Sequence, residues 1–302
     1  MLLRILSLVF AGSAMLLPSS VYSQPATPPS LRLPDTVKPV RYAAELTIVP
    51  SEESFRGSID IDIEVSRPTD AIWLNARFLT VELARLEGTG AQARILAGGE
   101  DFVGLQFDQA LTPGAARLQI EYRGEINRKD SGGIFSLREG GEWYAYTQFE
   151  AIRARRAFPC FDEPGYKVPW QLNLIVREEH IALSNTPVIS QTSLPGGMKR
   201  VAFAKTQPLP SYLIALGVGP FDIVDAGKAG MKATPLRILT PKGMGAQARY
   251  AASVTPRILE LSEQYTGIPY PYEKLDSLAL ATLNFGAMEN PGLITYGLSL
   301  LL

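Results

Sequence analysis

Residues 58–65 read Ser-Ile-Asp-Ile-Asp-Ile-Glu-Val, and no other stretch constrains the fold as tightly. Ile59, Ile61, Ile63 and Val65 alternate strictly with Asp60, Asp62 and Glu64. Side chains on a strand point to opposite faces with a period of two, so this segment has one dry face and one wet face. It reads as a half-buried antiparallel strand. Similar short runs recur at residues 42–49, 102–107, 117–122, 143–147, 171–176, 199–204 and 212–218. Clusters of Gly, Pro, Asn or Asp separate several of them, such as Leu194-Pro195-Gly196-Gly197. Residues 35–222 are therefore expected to form a mostly β domain, a β-sandwich or saddle-like sheet.

The pattern changes after Gly219-Pro220. Residues 235–240 read as a strand, 245–265 as a helix and 275–283 as another strand. Tyr250, Val254, Ile258, Leu261 and Tyr265 form one apolar stripe, of the kind a helix turns toward its core. Pro256 is expected to kink that helix or mark its start, and Gly267 to end it. Residues 223–302 are read as the incomplete start of a second domain, whose apolar strand faces would have nothing to cover them. A length of 302 residues, 46% hydrophobic, provides for about two domains.

The N-terminus carries a different signal. Arg4 gives a positive start, residues 5–17 are apolar up to Pro18, and Val21-Tyr22-Ser23 supplies the small residues that a signal peptidase reads. The apolar run is well short of the ~20 residues that span a bilayer. Residues 1–23 are expected to be a signal peptide and 24–34 a Pro-rich lead-in. The protein would then be exported, periplasmic or secreted, with no membrane span once the signal is removed. A formal charge of −1 points to neither nucleic acid nor an anionic membrane surface. Cys160 is the only cysteine, so no internal disulfide can form, and it is expected to be a small buried hydrophobe between Pro159 and Phe161.

A catalytic zinc takes three protein ligands and keeps one position open for water. This chain has one histidine, His180, in the charged turn Arg177-Glu178-Glu179-His180, and no His-Glu-x-x-His. His180 is expected to be a solvated turn residue. One His and one Cys also exclude most triad chemistry, and no Gly-x-Ser-x-Gly elbow is present. Two constellations remain. One is Asn284-Phe285-Gly286-Ala287-Met288-Glu289-Asn290, which spacing alone makes a turn closed by Asn290 and Pro291. The other joins Thr147-Gln148-Phe149-Glu150 to Arg155-Arg156-Ala157-Phe158-Pro159-Cys160-Phe161-Asp162-Glu163-Pro164. Spacing alone makes it a strand end and an Arg-rich loop. There Glu150 and Asp162 pair with Arg153, Arg155 or Arg156, each surface pair contributing roughly 0–1 kcal/mol.

Gly286-Ala287-Met288-Glu289-Asn290 resembles the Gly-x-Met-Glu-Asn exopeptidase motif of the aminopeptidase N family of zinc metallopeptidases. The second constellation is similar to that family's other signature, and the likeness runs from about Val40 to the end. The resemblance implies a saddle-shaped antiparallel β-sandwich N-terminal domain followed by the incomplete start of a thermolysin-like α+β catalytic domain. It also implies a substrate site within Gln148, Glu150, Gly286, Ala287, Met288, Glu289 and Asn290. Glu289 and Glu150 would grip the free α-ammonium of a peptide with help from Gln148, while Gly286 and Ala287 would offer backbone hydrogen bonds as an added strand does. Carboxylates in a closed-ended pocket suit a terminal ammonium of pKa ~7.7–8.0 and reject an internal amide, which would leave them unpaired. The partners would be peptides held through their free N-terminus. The zinc and the catalytic residues of the intact family lie beyond Leu302, so this chain is expected to bind no zinc and to be inactive alone. Pro291 departs from the Trp of many relatives, and Ala151-Ile152-Arg153 varies a stretch that differs among relatives. A reading from another class is a secreted β-rich module that captures peptide N-termini without cleaving them.

Overall fold

The computed structural model of the protein describes residues 27–281 and 286–302. The expected signal peptide, residues 1–23, lies outside the described residues, as do Asn284 and Phe285. The alternating segment belongs to strand Ser54–Val65 near the middle of a seven-stranded sheet. The strand order there is Val188–Leu194, Met198–Phe203, Trp170–Arg177, Val37–Thr47, Ser54–Val65, Gly114–Glu125 and Leu79–Leu86. Ile59, Ile61, Ile63 and Val65 are all buried, and the acids between them face outward. The sheet is not wholly antiparallel, because Val37–Thr47 runs parallel to Trp170–Arg177. More than a hundred residues separate these two strands, so no tight turn dictates their direction.

On the wet face Asp62 stands directly opposite Arg41 on one neighbouring strand and Arg117 on the other. The Arg41 guanidinium donates to Asp62 at 2.8 Å, and the Arg117 guanidinium donates to its other oxygen. Burial would raise the Asp62 pKa, but these two hydrogen bonds outweigh it and hold the carboxyl below its ordinary value.

The dry face packs against a three-stranded sheet, ordered Thr69–Asn75, Phe102–Leu111, Arg94–Ala97, through Ile72, Leu74, Leu105 and Phe107. A four-stranded sheet adds to the same core. Its order is Ile181–Ser184, Leu216–Gly219, Glu142–Gln148, Gly133–Glu139. Strand Glu142–Gln148 is dry on both sides. Ala145 joins the first core, as does Phe149 just past the strand, whereas Tyr144 and Tyr146 join a second core with Leu278, Leu280 and Leu293.

The second core belongs jointly to a mixed five-stranded sheet, ordered Phe221–Ala229, Thr234–Pro241, Leu275–Leu280, Leu293–Gly297, Ala287–Met288. The expectation that these strand faces lack cover is corrected here. Every residue of Leu275–Leu280 is buried, with the four-stranded sheet on one face. On the other face Leu236, Ile238 and Leu275 meet Ala248, Ala251 and Leu259 of the helical segment.

That helix, Arg249–Thr266, ends at Gly267 in the left-handed conformation, as its sequence predicts. Its orientation corrects the stripe. Tyr250 and Tyr265 are 77% and 93% exposed, and Ile258 and Leu261 also face out, while Ala251, Leu259 and Glu263 are buried. The Glu263 carboxylate accepts hydrogen bonds from Met231 N and Tyr270 N at 2.6 Å each, and this polar anchor turns the helix by about one position. Pro256 sits inside the helix and neither starts nor ends it. Among the described residues no helix is long and apolar enough to cross a membrane.

The Arg41–Asp62–Arg117 ladder gives a direct test. A carboxyl whose folded pKa is depressed contributes stability above the unfolded value of ~3.9 and loses it as pH falls through the folded value. Asp62→Asn is expected to lower stability by about 1 kcal/mol at pH 7. The gap to wild type should narrow as pH falls below the unfolded value of ~3.9, as read by urea unfolding at pH 7 and in acid.

Candidate functional site

The first half of the site grows from the end of strand Glu142–Gln148. Alternation puts Gln148 on the side of Tyr144 and Tyr146, facing the five-stranded sheet. Gln148 is 2% exposed, and its Oε1 is a buried acceptor with no partner among the described residues. Phe149 dives back into the first core, and Glu150 emerges exposed, joined to Ala151 by a cis peptide bond. Phe149 O accepts the Arg153 N–H at 2.7 Å, which closes the loop into the short 3-10 turn Ala154–Arg156.

The Arg-rich loop is not the set of surface pairs that spacing suggests. Arg155 and Asp162 are both buried, and Arg155 Nε donates to Asp162 Oδ2 at 3.0 Å. Ser211 Oγ donates to Asp162 Oδ1 at 2.6 Å, and the Asp162 N–H donates to Asn75 Oδ1 at 2.9 Å. Removing one partner of such a pair strands a buried charge and costs ~3–5 kcal/mol. Cys160 is buried in this loop, bridged through its backbone to Asn75, and burial pushes its thiol pKa up. Arg156 lies over the Phe78 ring, 5.2 Å from its centroid.

The second half is an edge. Strand Ala287–Met288 pairs with Leu293–Gly297 on one side and is the last strand of its sheet. The Gly297 N–H donates to Gly286 O at 2.9 Å, so the Gly286 carbonyl is turned into the sheet. In an antiparallel pair the bonded positions alternate, so the Ala287 N–H and C=O point outward from the edge. Met288 and Asn290 are buried, whereas Gly286, Ala287 and Glu289 are exposed. Among the described residues neither the Glu150 nor the Glu289 carboxylate has a hydrogen bond or an ion pair. The shared core of Tyr144, Tyr146, Leu280 and Leu293 fixes the sheets that carry the two halves against each other.

Sequence reading missed the residues that hold the halves in register. Asn185, at the end of strand Ile181–Ser184, donates from Nδ2 to Pro291 O at 2.9 Å. Gly292, at φ +74°, lies so close to the Asn185 carbonyl that a Cβ would stand 1.9 Å from that oxygen. The Gly292 N–H donates to Tyr270 Oη at 3.0 Å, and Lys274 Nζ donates to Gly292 O at 2.6 Å. Burial pushes the Tyr270 pKa up to about 12, so its hydroxyl stays neutral. Burial also pulls the Lys274 ammonium below its ordinary value, against the opposing pull of Asp276. Asp276 accepts from Lys274 Nζ and, through both oxygens, from Arg237. Only the Pro291-Gly292 dipeptide, a turn signal, hinted at any of this in sequence.

Zinc, which the family resemblance implies, finds no matching set of ligands among the described residues. The described residues hold no group of three His, Cys, Asp or Glu side chains placed to share a metal. His180 is half-buried in the turn after strand Trp170–Arg177 rather than freely solvated, its Nδ1 lacks a partner among the described residues, and burial lowers its pKa.

Comparison with known proteins matches residues 38–213 to the peptidase M1 N-terminal domain and residues 250–302 to the peptidase family M1 domain. The chain is 36% identical to aminopeptidase M1-A of Oryza sativa subsp. japonica over 278 residues, covering 88% of this chain and 31% of that protein. Aminopeptidase 2 of Candida albicans is 35% identical, with 87% of this chain and 29% of that protein covered. Glutamyl aminopeptidase of Bos taurus is 34% identical, with 88% and 29% covered. The chain thus spans about three-tenths of the length of these relatives.

The close approach at Gly292 predicts that Gly292→Ala costs about 2–4 kcal/mol, from left-handed backbone strain and overpacking together. Urea unfolding is the measurement. Gly243→Ala, at a left-handed position with open space around it, should cost only the strain of about 1–2 kcal/mol.

Proposed function

Because this chain belongs to the peptidase M1 family, we propose that it is the N-terminal part of an exported zinc aminopeptidase and that it supplies the anchor for the substrate's α-ammonium. The observation that carries the reading is a set of acceptors without donors. Among the described residues, Gln148 Oε1 is buried and unpartnered, and the Glu150 and Glu289 carboxylates stand exposed without ion pairs on the two sheets that share the second core. A buried acceptor left unmade costs ~1–3 kcal/mol, and an ammonium brings three donors that can satisfy such groups.

Ala287 complements the anchor. Its outward N–H and C=O would hold a peptide as an added strand, which fixes the first residue relative to the carboxylates. The names of the relatives, aminopeptidases in rice, yeast and cattle, support removal of N-terminal residues as the whole protein's reaction. In that reading zinc is held by residues outside this chain, and the chain alone carries out no hydrolysis. Export is proposed from residues 1–23, which have the anatomy of a signal peptide.

The test is calorimetric titration of the chain with a short peptide and its N-acetylated twin at pH 7. The free-amine peptide should bind and the acetylated one should not. Glu289→Gln should weaken the former by about tenfold or more, the scale of a hydrogen bond to a charged group. Binding should be fullest below the amine pKa of ~8 and fade as pH rises through it, since only the ammonium donates to carboxylates. Equal affinity for the two peptides would sink the anchor reading.

A further inference from the structure

Asn185 is buried, and all three of its side-chain hydrogen bonds go to backbone. Oδ1 accepts the Ala215 N–H at 2.9 Å, and Nδ2 donates to Leu213 O and to Pro291 O, each at 2.9 Å. The first two bonds lie within one part of the chain and fix the amide plane. With Oδ1 held by Ala215 and one hydrogen held by Leu213, the remaining hydrogen has a single direction, toward Pro291. The third bond therefore transmits position rather than merely adding contact.

Its two ends matter. Asn185 follows strand Ile181–Ser184 of the four-stranded sheet, the sheet whose strand Glu142–Gln148 leads to Glu150. Pro291 lies two residues after Glu289. On the far side of the turn Tyr270 and Lys274 hold the Gly292 N–H and C=O, and the Asp276 N–H also donates to Gly292 O at 3.1 Å. The Pro291–Gly292 peptide is thus gripped from both parts of the chain, with no space for a Cβ at Gly292 to loosen it.

We propose that Asn185 is a positioning residue that sets the distance between the Glu150 and Glu289 halves of the amine anchor, acting through the Pro291 carbonyl. The proposal rests on the amine-anchor reading above and goes beyond it by assigning the residue that keeps the halves in register. Asn185 itself touches no substrate.

The experiment uses the whole chain with Asn185→Ala and Asn185→Asp; the Asp variant keeps the acceptor for Ala215 and removes both donors. Hydrogen exchange is followed at Gly292, Leu293 and Gly297, whose N–H groups bond to Tyr270 Oη, Asn290 O and Gly286 O. These three amides should exchange about three- to tenfold faster, the range set by one lost hydrogen bond, while Ile59 and Ile61 keep wild-type rates. The affinity for the free-amine peptide should fall by a similar factor, and should not fall further when Asn185→Asp is added to Glu289→Gln. Unchanged exchange at the three amides in a folded variant would overturn the proposal. So would faster exchange spread evenly over the chain, which is the mark of a merely structural role. If Glu289→Gln leaves the affinity for the free-amine peptide unchanged, the amine-anchor reading falls, and exchange at the three amides still decides whether Asn185 holds the turn.

Discussion

Strand Glu142–Gln148 is dry on both faces, and the rest of the molecule is arranged around that constraint. Ala145 and the adjoining Phe149 need the first core, while Tyr144 and Tyr146 need a second one on the opposite side. An aromatic ring of ~200 Å² contributes about 5 kcal/mol on leaving water, at ~25 cal/mol per Å² and before entropy is counted. Two such rings on one face cannot be left bare. The five-stranded sheet covers them with Leu278, Leu280 and Leu293, so the junction between the two parts of the chain is itself a packed core. Gly217 and Gly219 allow this approach, since a Cβ on either would press on Leu278 or Tyr144.

From that junction the site follows with few further choices. Gln148 ends the doubly buried strand, and Ala287–Met288 ends the sheet that covers it. Glu150 and Glu289 lie just beyond those ends, where the strands have run out and the carboxylates can stay in water. Most of the long second motif serves a different purpose. Arg155, Asp162, Ser211 and Asn75 make a buried polar network that closes the loop following Glu150. Such a network stabilises only when every member is satisfied, which explains why so many residues of the motif point inward.

Several features were legible in sequence because their cause is local. The alternation of Ile59 to Val65 requires a half-buried strand, and Gly267 supplies the left-handed helix stop that a residue with a Cβ would resist. Strand Val188–Leu194 is not legible for a physical reason, since it is an exposed edge strand whose apolar residues, Val188, Ile189 and Leu194, neither alternate nor face a core. The helix Arg249–Thr266 was found but turned the wrong way. Its most apolar face is exposed, because the buried carboxylate of Glu263 must satisfy two N–H groups of other segments. Hydrophobic periodicity reports the average preference of a face and cannot register a single polar bond to a distant loop.

The candidate site divides in the same way. By itself the sequence determined the alternating strands and the Gly267 cap, because each depends on neighbours within a few positions, whereas Gln148, Glu150 and Glu289 stand out only through the resemblance to a known family. Only the tertiary structure decided that these residues come from two sheets sharing one core, that Ala287 offers the open edge, and that Asn185 meets Pro291. The first and last of those facts rest on contacts across more than a hundred residues of chain. Such contacts are set by which apolar faces fit together, and no local pattern of residues encodes that fit.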